Sequence, residues 1–301
     1  MKELYKYSFR SWLQFKPLKY TWKHFRNKLV LNLYVRKKQN LLHVFLAKCN
    51  TLKDKNIILV TAFEQPWVLE WQLFMADKYI NDAVILVFDN SKDVKAREEI
   101  KKVCEKNDTL YLPLPENPTK HVNRSHALAM QWIYGNVVKA IKPYSYTFID
   151  HDMIPLKSLS VSELIGEQDF YGLLKDKSRK DPGSWSIWAG YTMFKYSVTR
   201  NKKMNFMYDF SRDLDTGGGN YEALYKFYDR KKMNFSSKEW VSLEIPKIGV
   251  INNLQLLDGC WHHIGSVSYN NNFLSRKDYC LALSDSIHNG LEWNDLLIID
   301  K

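Results

Sequence analysis

The chain has 301 residues, 45% hydrophobic and 26% charged, with a net charge of +11. That balance fits one large globular domain, or one domain with an appendage, and excludes a disordered or fibrous chain. The charge is uneven: residues 1–55 hold fourteen Lys/Arg against Glu3 and Asp54, which exceeds the whole chain's surplus and leaves the remainder near neutral.

A basic end of this kind suits a polyanionic partner. Here the Lys and Arg interleave with Tyr5, Phe9, Trp12, Phe15, Trp22 and Phe25, and Tyr20–Cys49 contains no Pro or Gly. One or two amphipathic helices are therefore expected. Two readings stay open: a peripheral arm on an anionic membrane, or a helical pair packed on the main body. Nucleic acid is disfavoured, because no recognition motif accompanies the charge. No stretch reaches the roughly 20 apolar residues that span a bilayer, and the N-terminus lacks a secretory pattern. Cys49, Cys104, Cys260 and Cys280 are widely spaced without a C-x-x-C. A reduced, cytoplasmic setting is expected, and under the membrane-arm reading the protein is peripheral at the inner face of the membrane.

Beyond Lys55 the texture changes to a second unit, residues 56–301. Ile57–Phe63, Ala83–Phe88, Thr109–Leu114 and Tyr146–Ile149 read as buried strands. Pro66–Ile80, Asp93–Asn107 and Arg124–Ile141 read as the helices between them, Pro66 standing at a favoured first position. Strands alternating with helices predict an α/β fold with a mostly parallel sheet flanked by helices. Further on, Phe170–Leu174, Trp188–Phe194 and Lys247–Leu257 read as strands, Gly217–Gly219 as a turn and Tyr221–Tyr228 as a helix.

Ligands of such sheets bind beyond the carboxyl ends of strands, and Asp89 and Asp150 each follow an apolar strand. In Asp150-His151-Asp152, carboxylates at i and i+2 can reach one hard divalent cation from a single turn, and that cation can neutralise a departing diphosphate. The bland alternative is a capped surface turn. Asp89, in Asp89-Asn90-Ser91, can accept from a base or ribose hydroxyl; alternatively Asp89 or Ser91 merely caps the next helix.

The ordered set NIILVTAF, VFDNSKD, NRSHALA and TFIDHDM resembles GT-A glycosyltransferases of the broad family 2 kind, across about residues 56–265. The resemblance implies a Rossmann-like catalytic domain, with Asp89 contacting the nucleotide base and Asp150 and Asp152 holding a metal and the donor diphosphate. It implies a third metal ligand from a C-terminal histidine, here His263 with His262 one residue away, in a site suited to Mn2+ or Mg2+. An acceptor-activating carboxylate is also implied, and Asp215, before Gly217-Gly218-Gly219, is the candidate base. The usual E-D pair is missing, so stereochemistry stays open. Arg124 and His126 are candidates for the donor phosphates and Glu64 for the nucleotide. Trp185, Trp188 and Tyr191 are candidates for an acceptor platform.

The expected activity is metal-dependent transfer from a UDP- or GDP-sugar to a saccharide or glycolipid, in bacterial surface polysaccharide synthesis. A nucleotidyltransferase is disfavoured, since Ala62-Phe-Glu-Gln-Pro-Trp67 is no Gly-rich phosphate loop. A non-catalytic carbohydrate- or membrane-binding protein on the same fold remains the alternative.

Overall fold

The computed structural model describes residues 1–117, 119–176, 178–265, 267 and 274–298. The fold is mixed α/β, with a mostly parallel central sheet flanked by helices. Strands β1 (Asn56–Ala62), β2 (Ala83–Asp89), β3 (Leu110–Pro113) and β4 (Ser145–Asp150) run parallel, in the order β3-β2-β1-β4. A shorter strand, β5 (Met153–Pro155), leaves this sheet just after β4. β6 (Phe170–Lys175) and β7 (Ser186–Lys195) complete the central sheet beyond β4, with β7 antiparallel to both neighbours.

Every residue of β1 is buried, because both of its faces are covered. Ile57 and Leu59 point to one core, shared with Leu128, Trp132 and Tyr134; Ile58 and Val60 point to the other, shared with Leu69, Leu73 and Ile100. This period of two explains why the strand reads as an unbroken apolar run.

The N-terminal segment forms α1 (Phe9–Leu13), α2 (Lys16–Val35) and α3 (Leu42–Lys48). Leu31, Tyr34, Phe45, Cys49 and Leu52 enter the first core. Tyr34 donates to the Pro115 carbonyl at 2.8 Å, and Trp132 Nε1 to the Lys37 carbonyl at 3.0 Å. The C-terminal half of the segment is thus packed on the body.

Helices α4 (Pro66–Tyr79), α5 (Val94–Lys106) and α6 (Val122–Ile133) link the parallel strands. Asp93 caps α5 by accepting from Ala96 N at 2.8 Å. The helix expected to run to Ile141 widens into a π turn over Tyr134–Val138 before a last α turn at Lys139–Ile141. The expected helix over Tyr221–Tyr228 is instead a series of turns with a 3-10 turn at Tyr225–Phe227. Leu224 and Tyr225 are both buried there, so packing into the first core overrides local helix propensity.

A second, four-stranded sheet has the order β5-β10-β9-β8, with β8 Lys238–Ile245, β9 Gly249–Leu257 and β10 Trp261–His263. It packs on α4 and on two C-terminal helices, Leu274–His288 and Trp293–Leu296, through the third core. Among the described residues no helix is long and apolar enough to cross a membrane. All four cysteines are buried and free.

Candidate functional site

At the carboxyl edge of the parallel strands, a cleft is lined by Asp150, His151 and Asp152 after β4, His126 and Asn123 on α6, Asp215, His263 and Trp188. Thr61, Phe63, Asn90 and Thr216 complete much of its wall. Residues as far apart in sequence as Thr61 and His263 therefore meet in one place.

The Asp150-His151-Asp152 turn is held from three sides. Gln72, fully buried on α4, donates from one amide to the carbonyls of Asp150 at 3.0 Å and Met153 at 2.7 Å. His151 Nδ1 lies 3.3 Å from the Thr61 carbonyl, and Ile264 N donates to the Asp152 carbonyl at 3.1 Å. The strand pairing sets the histidine: His263 lies opposite Met153 across the β10–β5 ladder. Its Nε2 is 4.0 Å from Asp152 Oδ1, beyond hydrogen-bond reach, and its buried Nδ1 has no partner. His262 faces away, 1% exposed, with Nδ1 3.3 Å from the Gln255 carbonyl. Burial pulls its imidazole down to about 4.

Burial, and then the neighbouring Asp152 carboxylate, hold Asp150 well above the usual carboxylate range. His126 Nε2 stands 3.4 Å from Asp150 Oδ1, but burial pulls this imidazole down to about 4, so it brings no full positive charge. Two crowded carboxylates with His263 Nε2 4.0 Å from one of them fit a divalent cation chemically. Among the described residues, however, no three His, Cys, Asp or Glu are gathered closely enough to form a ready-made metal cage. Oxygens of a bound ligand would have to complete such a coordination sphere.

Asp215 lies across the cleft. Its Oδ1 accepts from Asn123 Nδ2 at 2.9 Å and from Thr216 N at 2.8 Å, which fixes the carboxylate. Gly190 makes room for Asp150: a Cβ there would stand 2.4 Å from Asp150 Oδ2 and equally close to the Trp188 ring.

The other sequence candidates lie elsewhere. Asp89 is fully buried, accepting from Ser91 N and Tyr111 OH, both at 2.8 Å, and does not line the cleft. Glu64 accepts from Lys92 N at 3.0 Å and ties the loops after β1 and β2 together. Arg124 turns toward the Tyr208 hydroxyl at 3.2 Å. Of the three aromatics, Trp188 alone lines the cleft. Trp185 packs against Phe170 and Tyr225, and Tyr191 is buried with its hydroxyl donating to Asp258 at 2.7 Å. β7 also carries a bulge: between two paired positions β6 advances from Gly172 to Leu174 while β7 spans Ile187 to Thr192. Trp185 lies on the side of the first core, and Trp188 and Tyr191 on the side of the second.

Gln72, Asn123, Thr61 and Phe63 were not singled out from sequence. A glutamine on the apolar face of α4 was the one signal that could have found Gln72.

No family model and no curated protein matches the sequence. Among solved structures, similarities include TarS of S. aureus, at 15% identity and a TM-score of 0.34, over 50% of this chain and 30% of that one. A mannosyltransferase from Pyrobaculum calidifontis, in complex with GDP-mannose and Mn2+, gives 10% identity and a TM-score of 0.33, over 60% of this chain and 55% of that one. The chain thus spans between about a third and just over half of these proteins' lengths. Likenesses this remote say nothing about what this chain binds.

Proposed function

We propose that the chain is a GT-A glycosyltransferase that transfers a sugar from a UDP- or GDP-sugar to a saccharide or lipid-linked saccharide. One observation carries the reading: Asp150, Asp152, His263 and Asp215 converge on a single cleft at the carboxyl edge of the parallel strands. Asp150, Asp152 and His263 would hold Mn2+ or Mg2+, which when bound supplies positive charge to the departing nucleoside diphosphate. Gln72 and the β10–β5 ladder keep the Asp150–Asp152 turn in one geometry before any ligand arrives. His126, kept neutral by burial, stands beside Asp150 and can donate to a donor oxygen without repelling the cation. Asp215, fixed through Oδ1 by Asn123 and Thr216, is the base for the acceptor hydroxyl. Trp188, above the cleft, offers an apolar face to a sugar ring.

The test is thermal unfolding of the whole chain with UDP, GDP, CMP and their sugars, each with manganese and with chelator. Native-state binding raises the melting temperature. The reading predicts a manganese-dependent rise with one nucleotide class that disappears in Asp152→Ala. A folded sample that responds to no nucleotide in the presence of manganese would end the transferase reading and favour a non-catalytic carbohydrate-binding role.

A further inference from the structure

Helix α2 has two apolar faces, and the body covers only one. Asn27, Leu31 and Tyr34 face inward and are buried. On the opposite side Leu18, Trp22, Phe25, Leu29 and Leu33 recur at helical spacing and all stand exposed, Trp22 by 64% and Phe25 by 58%. This ridge is about 22 Å long. Phe9 and Phe15 extend it toward α1, exposed by 78% and 68%. An aligned row of this size is unlike the scattered apolar residues of an ordinary surface.

Charge decides what covers it. Helical periodicity places Lys19 and Arg26 along one border of the ridge and Lys28 along the other. From Leu4 to Lys53 the chain has no Asp or Glu. Self-association through this face would lay cations against cations, whereas an anionic headgroup layer pairs with them. Trp and Phe between lysines suit the boundary of headgroups and acyl chains, and the helix is not apolar enough to span.

We propose that the outer face of α1 and α2 is a docking surface for an anionic phospholipid bilayer, with the helix axis parallel to the membrane and Trp22 and Phe25 inserted at its centre. The inner side of the same helix braces the loop that leads to Asp215. His24 Nε2 lies 3.1 Å from Asp209 Oδ1, and the Lys23 ammonium sits 4.5 Å from the Phe210 ring centroid. The docking itself does not rest on the transferase reading.

The experiment is co-sedimentation of the full chain with vesicles of phosphatidylcholine alone and of phosphatidylcholine mixed with phosphatidylglycerol, at low and high salt. Binding to the anionic vesicles, weakened by salt, is expected. Trp22→Ser combined with Phe25→Ser should weaken it by about tenfold or more. Lys19→Gln with Lys28→Gln should weaken it mainly at low salt. The substituted positions are exposed, and unchanged melting of each variant without vesicles confirms its fold. Absence of binding to anionic vesicles overturns the proposal, as does equal binding by wild type and the Trp22/Phe25 variant. A vesicle-free dimer that the same variant dissociates would assign the ridge to a second copy of the chain instead. None of these readouts involves sugar transfer, so the docking and the transferase reading can fail separately.

Discussion

Two aspartates stand on either side of β1 with nearly the same address and opposite fates. Asp89 ends β2 opposite Ala62, and Asp150 ends β4 opposite Thr61. Asp89 is fully buried, and both of its oxygens are taken by its own neighbourhood, the Ser91 amide and the Tyr111 hydroxyl. Asp150 keeps a side chain 28% exposed, facing a second carboxylate and two imidazoles across an open cleft. Standing at the carboxyl edge of a parallel sheet therefore does not by itself open a carboxylate to the cleft. What separates the two is that each oxygen of Asp89 already accepts from a local donor in a closed pocket, whereas Asp150 faces the cleft.

That contrast can be broken at both ends. The largest effect is expected from Asp152→Ala, which should lower kcat/KM by about 10³-fold, equivalent to ~4 kcal/mol, while leaving stability equal or higher. Removing one of two crowded carboxylates relieves repulsion, so a large loss of melting temperature in this variant would mean a structural role. Asp89→Ala should behave in the opposite way, losing about 2–3 kcal/mol in urea unfolding because the buried Ser91 amide and the part-buried Tyr111 hydroxyl lose their acceptor. Its nucleotide-dependent melting shift should survive, and loss of that shift in a still-folded sample would return Asp89 to the binding site. Gly190→Ala sharpens the Asp150 side. The added methyl displaces that carboxylate or Trp188, costing about 1–3 kcal/mol and reducing activity tenfold or more. Retained wild-type activity would show that Asp150's present rotamer is unimportant. The smallest change is Tyr111→Phe, expected to cost about 1 kcal/mol with activity intact, readable as a shift in urea midpoint.

The parallel half of the fold was legible because buried parallel strands write themselves as continuous apolar runs, as Ile57–Val60 does, and because Pro66 and Asp93 mark helix starts. The second sheet was half legible. β9 was foreseen, but its partner β8 has an exposed, polar-rich outer face including Trp240 and gives a weak signal. In the cleft, the i and i+2 spacing around His151 could be read from residue types alone, whereas His263 was a candidate only through the family resemblance. Which aromatic lines the cleft could not be read: it is Trp188, rather than Trp185 or Tyr191. Asp89 could not be resolved either, since its fate depends on Tyr111, a residue on another strand. For residues 1–55 the packed reading holds on one side of α2, where Leu31 and Tyr34 face inward, while Trp22 and Phe25 stay outside and the membrane reading is a proposal about that side.

The β10–β5 pairing has a mechanical consequence. Asp150 belongs to the six-stranded sheet and His263 to the four-stranded one. An ion shared between them would act as a rivet through two plates. With it in place, the β8–β9 hairpin and the central sheet would open as one cooperative unit. With it withdrawn by chelator, the smaller sheet would be free to open first, and its amides would exchange hydrogen sooner than those of β1.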